Sequence, residues 1–315
     1  QFLFRDHWVS LATRELLAIG KRDNQKTYFG KDGYLFAIDT IDNSQFSKNK
    51  ELLREFLQKI KQEHPDIRST VMVVPTSSAI LTEKLPYGAP VPDEIPLIEE
   101  IGVSVDGLAT FCNPVPELQA HTGEEIYYRT DHHWTSLGAY YAYTAWAKTQ
   151  GIVPHDLQDY EIRTVSDSFL GTTYSKANLS SISPDSIQTF TLFHAPKPSM
   201  QVNTGKEIKY FDSLYDESYL SKKDQYSYFL SSNNPLVSIE TGVKNGKTLL
   251  VLKDSFANAF LPFLTEEYER ILVVDPRYQR SGILDMLQQE TITDILVLYN
   301  IVNFANDTNL ISLVR

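Results

Sequence analysis

Runs of apolar and β-branched residues alternate with helical patterns along this chain of 315 residues. The apolar runs are nearly continuous, which is typical of strands that are buried on both faces of a parallel sheet. Because helices separate the strands, the pattern predicts an α/β fold with a parallel central sheet. The predicted strands are residues 70–74, 248–252, 271–274 and 292–299, and the predicted helices are residues 49–63, 136–150, 255–268 and 283–289.

The middle of the chain, residues 165–245, does not follow this pattern. It is rich in serine, asparagine, tyrosine and lysine, and it contains two short strand-like runs at 189–194 and 207–211. Proline and glycine lie between these runs, so we expect an antiparallel hairpin with loops. The segment is therefore predicted to be a β-rich insertion in the α/β frame.

Composition and charge exclude several classes of protein. Forty acidic side chains against 29 basic ones give a formal charge of −11, and a surface of that sign repels phosphate backbones, so we expect no nucleic acid partner. The single cysteine, Cys112, excludes an internal disulfide and cysteine-rich zinc sites.

The sequence also bears on membrane association. No window approaches the 18 or so consecutive apolar residues of a membrane-spanning helix, and the longest apolar run, 295–304, contains two asparagines. The chain starts at Gln1 without a methionine and continues at once into Phe2, Phe4 and Trp8. We expect that a signal or anchor upstream has been removed.

A cluster of two histidines and a carboxylate lies just before the predicted helix 136–150. In an extended stretch Asp131 and His133 lie on the same side, and His132 points the other way. Asp131 could then hold one ring nitrogen of His133 and leave the other free as a base. Two alternatives stay open: the three side chains could bind a metal, or the cluster could only cap the helix through Thr135 or Ser136.

A serine lies where a buried strand runs directly into a helix. Residues 249–252 form the strand, and Lys253, Asp254 and Ser255 form the corner. This placement exposes the serine hydroxyl at the carboxyl edge of a parallel sheet, where ligands of open α/β folds bind. It also suits a nucleophile because helical N–H groups point at developing negative charge. The alternative is a simple helix cap, for which Asp and Ser are common.

Three blocks of the sequence resemble the DHHW family, relatives of the alginate O-acetyltransferases with an SGNH-hydrolase-like domain. They are TDHHWTSLG at residues 130–138, YFGKDGYLF at residues 28–36 and KDSFAN at residues 253–258. The similarity extends over most of the chain, from about residue 4 to residue 304. It implies a single three-layer α/β/α SGNH-like domain over residues 1–315, with the β-rich insertion.

The resemblance also implies a catalytic triad, in which Ser255 is the nucleophile, His133 the base and Asp131 its orienting carboxylate. The aspartate and histidine precede the serine, which is the circularly permuted order of the alginate acetylation branch. That branch usually has a glycine before the Asp-Ser pair, and this chain has Lys253 there. The oxyanion donors are therefore less well defined than the triad.

Several further residues are candidates for oxyanion or substrate binding. The backbone N–H of Ser255 is the first, because a helix N-terminus supplies it without any side chain. Arg277 and Asn300 follow predicted strands, although Arg277 could simply pair with Asp275 and Asn300 could end its strand. The remaining candidates are Asn258, Tyr174, Tyr278 and Trp134.

The two clusters predict O-acyl chemistry at a serine, and the resemblance implies an O-acetyltransferase that modifies a cell-surface or secreted polysaccharide through an acetyl-serine intermediate. A carbohydrate acetylesterase is the first alternative, and a non-catalytic polysaccharide-binding subunit is the second. From the resemblance we expect the protein at the outer face of a bacterial membrane, with a membrane-bound O-acyltransferase supplying the acetyl group. We expect neither a metal ion nor a cofactor.

Overall fold

A mixed eight-stranded sheet forms the centre of the molecule. The structure is a computed structural model that describes residues 5–179, 181–279 and 282–314. The strands, numbered along the chain, are β1 (Thr27–Phe29), β2 (Leu35–Ala37), β3 (Arg68–Val74), β4 (Thr110–Cys112), β5 (Tyr160–Phe169), β6 (Asp185–Leu192), β7 (Ser199–Asn203), β8 (Ile208–Phe211), β9 (Leu236–Glu240), β10 (Thr248–Lys253), β11 (Arg270–Val274) and β12 (Asp294–Asn300).

The order of strands in the central sheet is β4-β3-β12-β10-β11-β9-β7-β8. The first five are mutually parallel, and β9, β7 and β8 extend the sheet in antiparallel pairing. All seven residues of β12 are buried, because this strand lies between β3 and β10 in the middle of the sheet. The carboxyl ends of the parallel strands lie at one edge, which is where the candidate site is found.

Two groups of helices accompany the sheet. The helices are α1 (Arg5–Ala18), α2 (Asn43–Glu63), α3 (Ser77–Ile80), α4 (Glu94–Ser104), α5 (Val115–Ala120), α6 (Ser136–Thr149), α7 (Thr172–Ala177), α8 (Ala257–Phe260), α9 (Ile283–Gln289) and α10 (Ile301–Asn306). Helix α2 packs against α4 and α10, whereas α6 packs against α5 and α8. No described helix is both long enough and apolar enough to cross a bilayer.

The four predicted strands are confirmed with shifts of two residues or fewer at their ends, and the α/β class is confirmed. The predicted parallel central sheet covers β3, β4, β10, β11 and β12, and β7, β8 and β9 extend it by antiparallel pairing, which the prediction did not include. These strands come from the serine-rich middle segment, and β7 and β8 are joined by a tight turn, which requires antiparallel pairing.

The predicted hairpin between residues 189–194 and 207–211 was also wrong. Residues 189–192 belong to β6, which pairs with β5 in a separate two-stranded sheet, while β8 pairs with β7. The insertion is therefore divided between this small sheet and the central sheet. The one-domain organisation of residues 1–315 stays a prediction.

The predicted helix 255–268 is present only in part. Helix α8 covers Ala257–Phe260, and a 3-10 turn follows at Leu261–Leu264. Pro262 explains the break, because proline has no N–H and its ring clashes with the carbonyl group four residues earlier. Ser255 consequently lies in a tight turn between β10 and a very short helix.

Candidate active site

The loop that carries the two histidines lies against the serine corner. A backbone bridge joins Tyr127 to Trp134, and Thr135 caps α6 by accepting a hydrogen bond from the N–H of Gly138. The buried indole of Trp134 donates to the carbonyl oxygen of Phe256 at 2.9 Å. The loop and the corner, more than a hundred residues apart in sequence, are thus joined directly.

Three side chains form a continuous line of hydrogen bonds at this junction. The Nε2 atom of His133 lies 2.7 Å from the Oγ atom of Ser255. On the other side of the ring, Nδ1 lies 2.5 Å from the Oδ1 atom of Asp131. All three residues are buried. A hydroxyl in contact with an imidazole that is itself held by a carboxylate is the arrangement that activates a nucleophilic serine.

The carboxylate of Asp131 is fixed by more than the imidazole. Its Oδ2 atom accepts hydrogen bonds from the N–H of Thr172 at 2.7 Å and from the Thr172 hydroxyl at 2.9 Å. Burial alone would raise the pKa of Asp131, but the charges of His132 and His133 and these hydrogen bonds hold it well below its usual range. The group is therefore ionised near neutral pH.

The neighbouring segment supports the loop from outside. The carboxylate of Asp185, the first residue of β6, accepts hydrogen bonds from the backbone N–H and the hydroxyl of Thr130 and from the side chain of Arg129. The insertion therefore contributes directly to the position of Asp131 and His133.

Tyr226 covers the imidazole of His133. The two rings are stacked, with centroids 3.8 Å apart and an interplanar angle of 9°. The hydroxyl group of Tyr226 donates to the carbonyl oxygen of Ser255 at 3.1 Å. This buried side chain thus touches both members of the Ser255–His133 pair.

Asp254 organises the turn on the other side of Ser255. Its carboxylate accepts hydrogen bonds from the N–H groups of Phe256 and Asn300 and from the side-chain amide of Asn303. Burial raises the pKa of Asp254 even though the nearby Arg277 opposes the shift. Within the described chain, the N–H of Ser255 donates no hydrogen bond, so it is available to a bound oxyanion.

Lys253 occupies the position where the related branch has a small residue. Its buried ammonium group lies 2.6 Å from the Oδ1 atom of Asn233, 2.8 Å from that of Asn258 and 3.5 Å from a carboxylate oxygen of Asp275. Burial lowers the pKa of Lys253 to about 8 despite the carboxylate of Asp275. The lysine joins the serine corner to the loop that contains Asn233.

The other candidate binding residues take different places. Asn258 is buried, and its side-chain amide is engaged by Lys253 and Asn233. The guanidinium of Arg277 makes two hydrogen bonds to Asp275, at 2.8 and 2.6 Å, which is the alternative that the sequence left open.

Two tyrosines among the candidates do not meet the serine. Tyr278 is exposed beside Arg277, with its ring centroid 5.8 Å from the guanidinium carbon. Tyr174 lies in α7 and approaches the loop through its backbone, whose N–H donates to the carbonyl oxygen of Thr130. Trp134 joins the loop to the corner and is fully buried.

A cavity of about 370 Å³ with polar and apolar surface opens beside the hydrogen-bonded line. His132 and Phe256, the chain neighbours of His133 and Ser255, form part of its wall, and so does Asn300. The side chain of Asn300 is held by α10 and β3, because it caps α10 and donates to the carbonyl oxygen of Val74. Asn300 therefore reaches the predicted edge of the sheet, as a buried part of the wall.

His132 lies against His133 and not on the opposite side, because residues 129–133 form bends and not the extended stretch that the prediction assumed. Its Nδ1 atom lies 2.7 Å from the Thr172 hydroxyl, and its ring packs on that of His133 with centroids 3.8 Å apart. Burial and the charge of His133 lower the pKa of His132 to about 4. The side chain is therefore neutral near pH 7.

Asp131, His132 and His133 also place ligand atoms within 4.8 Å of one another, as a metal site would require. Each residue, however, already has a protein partner: Ser255 for His133, Thr172 for His132, and both His133 and Thr172 for Asp131. This geometry is closer to that of an acid/base chain than to that of an open set of ligands.

Sequence reasoning missed the residues that surround the line. Tyr226, Thr172 and Asp185 lie in the irregular middle segment, where no periodicity or motif marks them. They also lie far from the histidines along the chain, so the sequence did not indicate that they would be in contact with the loop that carries the histidines.

Comparison with known proteins gives consistent findings. The model of the family described as DHHW protein matches residues 110–274, and the model described as SGNH hydrolase-like domain, acetyltransferase AlgX, matches residues 28–167. No curated protein sequence was found to match the chain.

Solved structures share the fold over most of their length. A DHHW family protein from Eubacterium siraeum is 26% identical, with a TM-score of 0.78 over 92% of this chain and 95% of that one. PatB1 from Bacillus cereus, solved with a sulfonyl adduct, is 18% identical, with a TM-score of 0.75 over 88% of this chain and 95% of that one. The O-acetyltransferase domain of Pseudomonas putida AlgJ is 16% identical, with a TM-score of 0.55 over 89% and 92%.

Proposed function

Because the chain belongs to the DHHW family, we propose that it is a serine-dependent O-acetyltransferase that modifies hydroxyl groups of a polysaccharide. The observation that carries the proposal is the line from Ser255 through His133 to Asp131, with contacts of 2.7 and 2.5 Å. Similarity to the acetyltransferase AlgX model over residues 28–167 supports the acetyl group as the cargo.

In the first half-reaction the Oγ atom of Ser255 attacks the carbonyl carbon of an acetyl ester. His133 takes the hydroxyl proton at Nε2, while Asp131 stabilises the resulting imidazolium through Nδ1. The free N–H of Ser255 stabilises the negative charge on the carbonyl oxygen. The ester bond to the donor then breaks, the leaving oxygen receives the proton from His133, and acetyl-serine remains.

In the second half-reaction a sugar hydroxyl attacks the acetyl-serine carbonyl. His133 takes the sugar hydroxyl proton and returns it to the Oγ atom of Ser255 as the bond between that atom and the acetyl group breaks. Water in place of the sugar would give an acetylesterase. The transferase proposal therefore requires that a sugar competes successfully with water.

The proposal includes a setting for this chemistry. From the family resemblance, the enzyme works outside a bacterial membrane and receives acetyl groups through a membrane-bound O-acyltransferase. The cavity lined by His132 and Phe256 provides space for an acceptor.

Release of p-nitrophenol from p-nitrophenyl acetate tests the nucleophile. We expect Ser255→Ala and His133→Ala to lower kcat/KM by about 10³-fold or more, and Asp131→Asn to lower it by about 10²-fold to 10⁴-fold. The matched control is Ser312→Ala, because Ser312 is also a buried serine but lies in the 3-10 turn Leu310–Val314.

A covalent label provides an independent test. PatB1 has been solved with a sulfonyl adduct, so we expect a sulfonyl fluoride to modify Ser255, as located by peptide mass spectrometry. Equal turnover by wild type and Ser255→Ala, or labelling at another residue, would contradict the nucleophile assignment. Acetylated oligosaccharide among the products would separate the transferase from the esterase.

A further inference from the structure

The cavity beside Ser255 contains a carboxylate that the proposed reaction does not use. Asp39, just after β2, lies in the cavity wall with Lys176 and with Ser77 and Ser78 of α3. His132 forms another part of the same wall, next to the His133–Ser255 pair. A group bound at Asp39 would therefore lie in a cavity whose wall includes the chain neighbours of His133 and Ser255, namely His132 and Phe256.

Within the described part of the chain, no N–H or O–H donates a hydrogen bond to the Asp39 carboxylate. The basic side chains near it are Lys176, which is exposed, and His132. Burial raises the pKa of Asp39, and Lys176 and His132 only partly oppose this shift. A partly buried acceptor without a donor is costly, so this carboxylate favours a ligand that brings donors of its own.

The rest of the wall combines uncharged polar groups with apolar surface. Hydroxyl groups of Thr76, Ser77 and Ser78 and the side chain of Asn303 lie there, and the low pKa of His132 keeps that ring neutral near pH 7. Such a surface suits a sugar ring, whose hydroxyl groups both donate and accept hydrogen bonds.

Resting on the proposed function, we infer that Asp39 selects the acceptor: it receives hydrogen bonds from the hydroxyl groups of a neutral sugar and disfavours uronic acids. The ring in the cavity is a neutral hexose or N-acetylhexosamine. A uronate would place a second carboxylate beside Asp39, in a protein whose formal charge is already −11. Asp39 is thus a specificity-determining residue of the acceptor site.

Binding is measured in the Ser255→Ala background, which has no nucleophile, so that the outcome does not depend on turnover. Isothermal titration calorimetry compares an N-acetylglucosamine oligomer with a mannuronic acid oligomer of the same length. We expect the neutral oligomer to bind at least roughly tenfold more tightly than the uronate. Adding Asp39→Asn should weaken binding of the neutral oligomer by roughly tenfold and reduce its preference over the uronate.

Asp66→Asn is the matched control, because it removes the same charge from an exposed position just before β3, at the opposite edge of the sheet. It should bind both oligomers as the Ser255→Ala background does. Equal or tighter binding of the uronate, unchanged binding after Asp39→Asn, or no binding of the neutral oligomer at millimolar concentration would each overturn the inference. Failure of the proposed function would instead be seen as aryl acetate turnover that does not need Ser255.

Discussion

The imidazole of His133 is held on three sides by residues from different segments. Asp131 holds Nδ1, Ser255 contacts Nε2, and the ring of Tyr226 covers one face. The first two contacts follow from the motif, and the third comes from the turn Gln225–Tyr228 in the insertion. Tyr226 is therefore a positioning residue, since it acts on the reaction through the orientation of His133.

Substitution of Tyr226 separates the two contacts of this side chain. We expect Tyr226→Phe to retain kcat for aryl acetate within about threefold, because the stacked ring stays and only the hydrogen bond to Ser255 is lost. Tyr226→Leu should lower kcat by roughly tenfold or more, because the imidazole loses its stacked partner and with it a fixed orientation.

Tyr228→Leu is the control for this comparison. Tyr228 belongs to the same turn, but it stacks on Tyr215, with centroids 5.0 Å apart. The positioning role is wrong if Tyr226→Leu and Tyr228→Leu lower kcat equally, or if the phenylalanine variant is as impaired as the leucine variant.

Glu94 is a buried carboxyl group that contacts Thr76, a residue of the cavity wall. It accepts hydrogen bonds from the N–H of Thr76 at 2.7 Å and from the Thr76 hydroxyl at 2.6 Å. Burial raises the pKa of Glu94 from 4.5 to about 7, although these hydrogen bonds oppose the shift. Between these two pH values the folded protein binds a proton that the unfolded chain releases.

The stability that protonated Glu94 contributes should be complete below pH 4.5 and lost as the pH rises through about 7. Over this window the free energy of unfolding of the wild type should fall, relative to Glu94→Gln, by up to about 3 kcal/mol. Urea unfolding of both proteins from pH 4.5 to pH 8 measures this. Parallel stability curves for the two proteins would contradict the shift.

At the scale of elements, the site depends on a close approach between two loops. Gly171 lies directly before α7, where a Cβ atom would come within 2.3 to 2.7 Å of the side chain of Asp131. Only glycine leaves room there for the carboxylate, whose Oδ2 atom is bound by Thr172. The contact between α7 and the histidine loop thus sets the position of Asp131.

Replacing this glycine should damage the site more than the fold. We expect Gly171→Ala to displace Asp131 and to lower kcat for aryl acetate by roughly 10²-fold. Gly123→Ala is the control, since a Cβ there would meet nothing within 4 Å and the backbone has no positive φ. Full activity of Gly171→Ala would contradict this prediction, because it would show that the two loops can move apart without displacing Asp131 from His133.

The sequence predicts the elements that are regular and misses the ones that depend on distant contacts. The buried strands are apolar along their whole length, as in β12, so their pattern is unambiguous. The pairing of β6 with β5 and of β8 with β7 has no such signal, since these strands are mixed in polarity. Ser255 and His133 were predicted to meet because motifs mark them, whereas Tyr226 carries no motif.

At the scale of the molecule, the central sheet combines distant parts of the chain. Strand β12, near the C-terminus, lies between β3 and β10, and β3 precedes the match to the DHHW model at residues 110–274. The matched region therefore lacks β12, which pairs with its own strand β10, and β3, which pairs with β12. This arrangement favours the predicted single domain.

A single domain should unfold as one unit. We expect the urea midpoints from far-UV circular dichroism, tryptophan fluorescence and loss of aryl acetate hydrolysis to coincide, because Trp134, Ser255 and the strands share one core. Removal of residues 291–314 should abolish the transition, since β12 is lost. Two separated midpoints in the intact chain would contradict the single-domain prediction.

The buried ammonium group of Lys253 has a consequence for motion. It ties the end of β10 to Asn233, in a loop where Leu230, Ser231 and Ser232 all have positive φ angles. Such a backbone persists only where its surroundings hold it, and here a rigid strand does so. We therefore expect the loop that carries Tyr226 to open with the core of the sheet and not as an independent lid, with amide hydrogens that exchange with solvent as slowly as those of the strand.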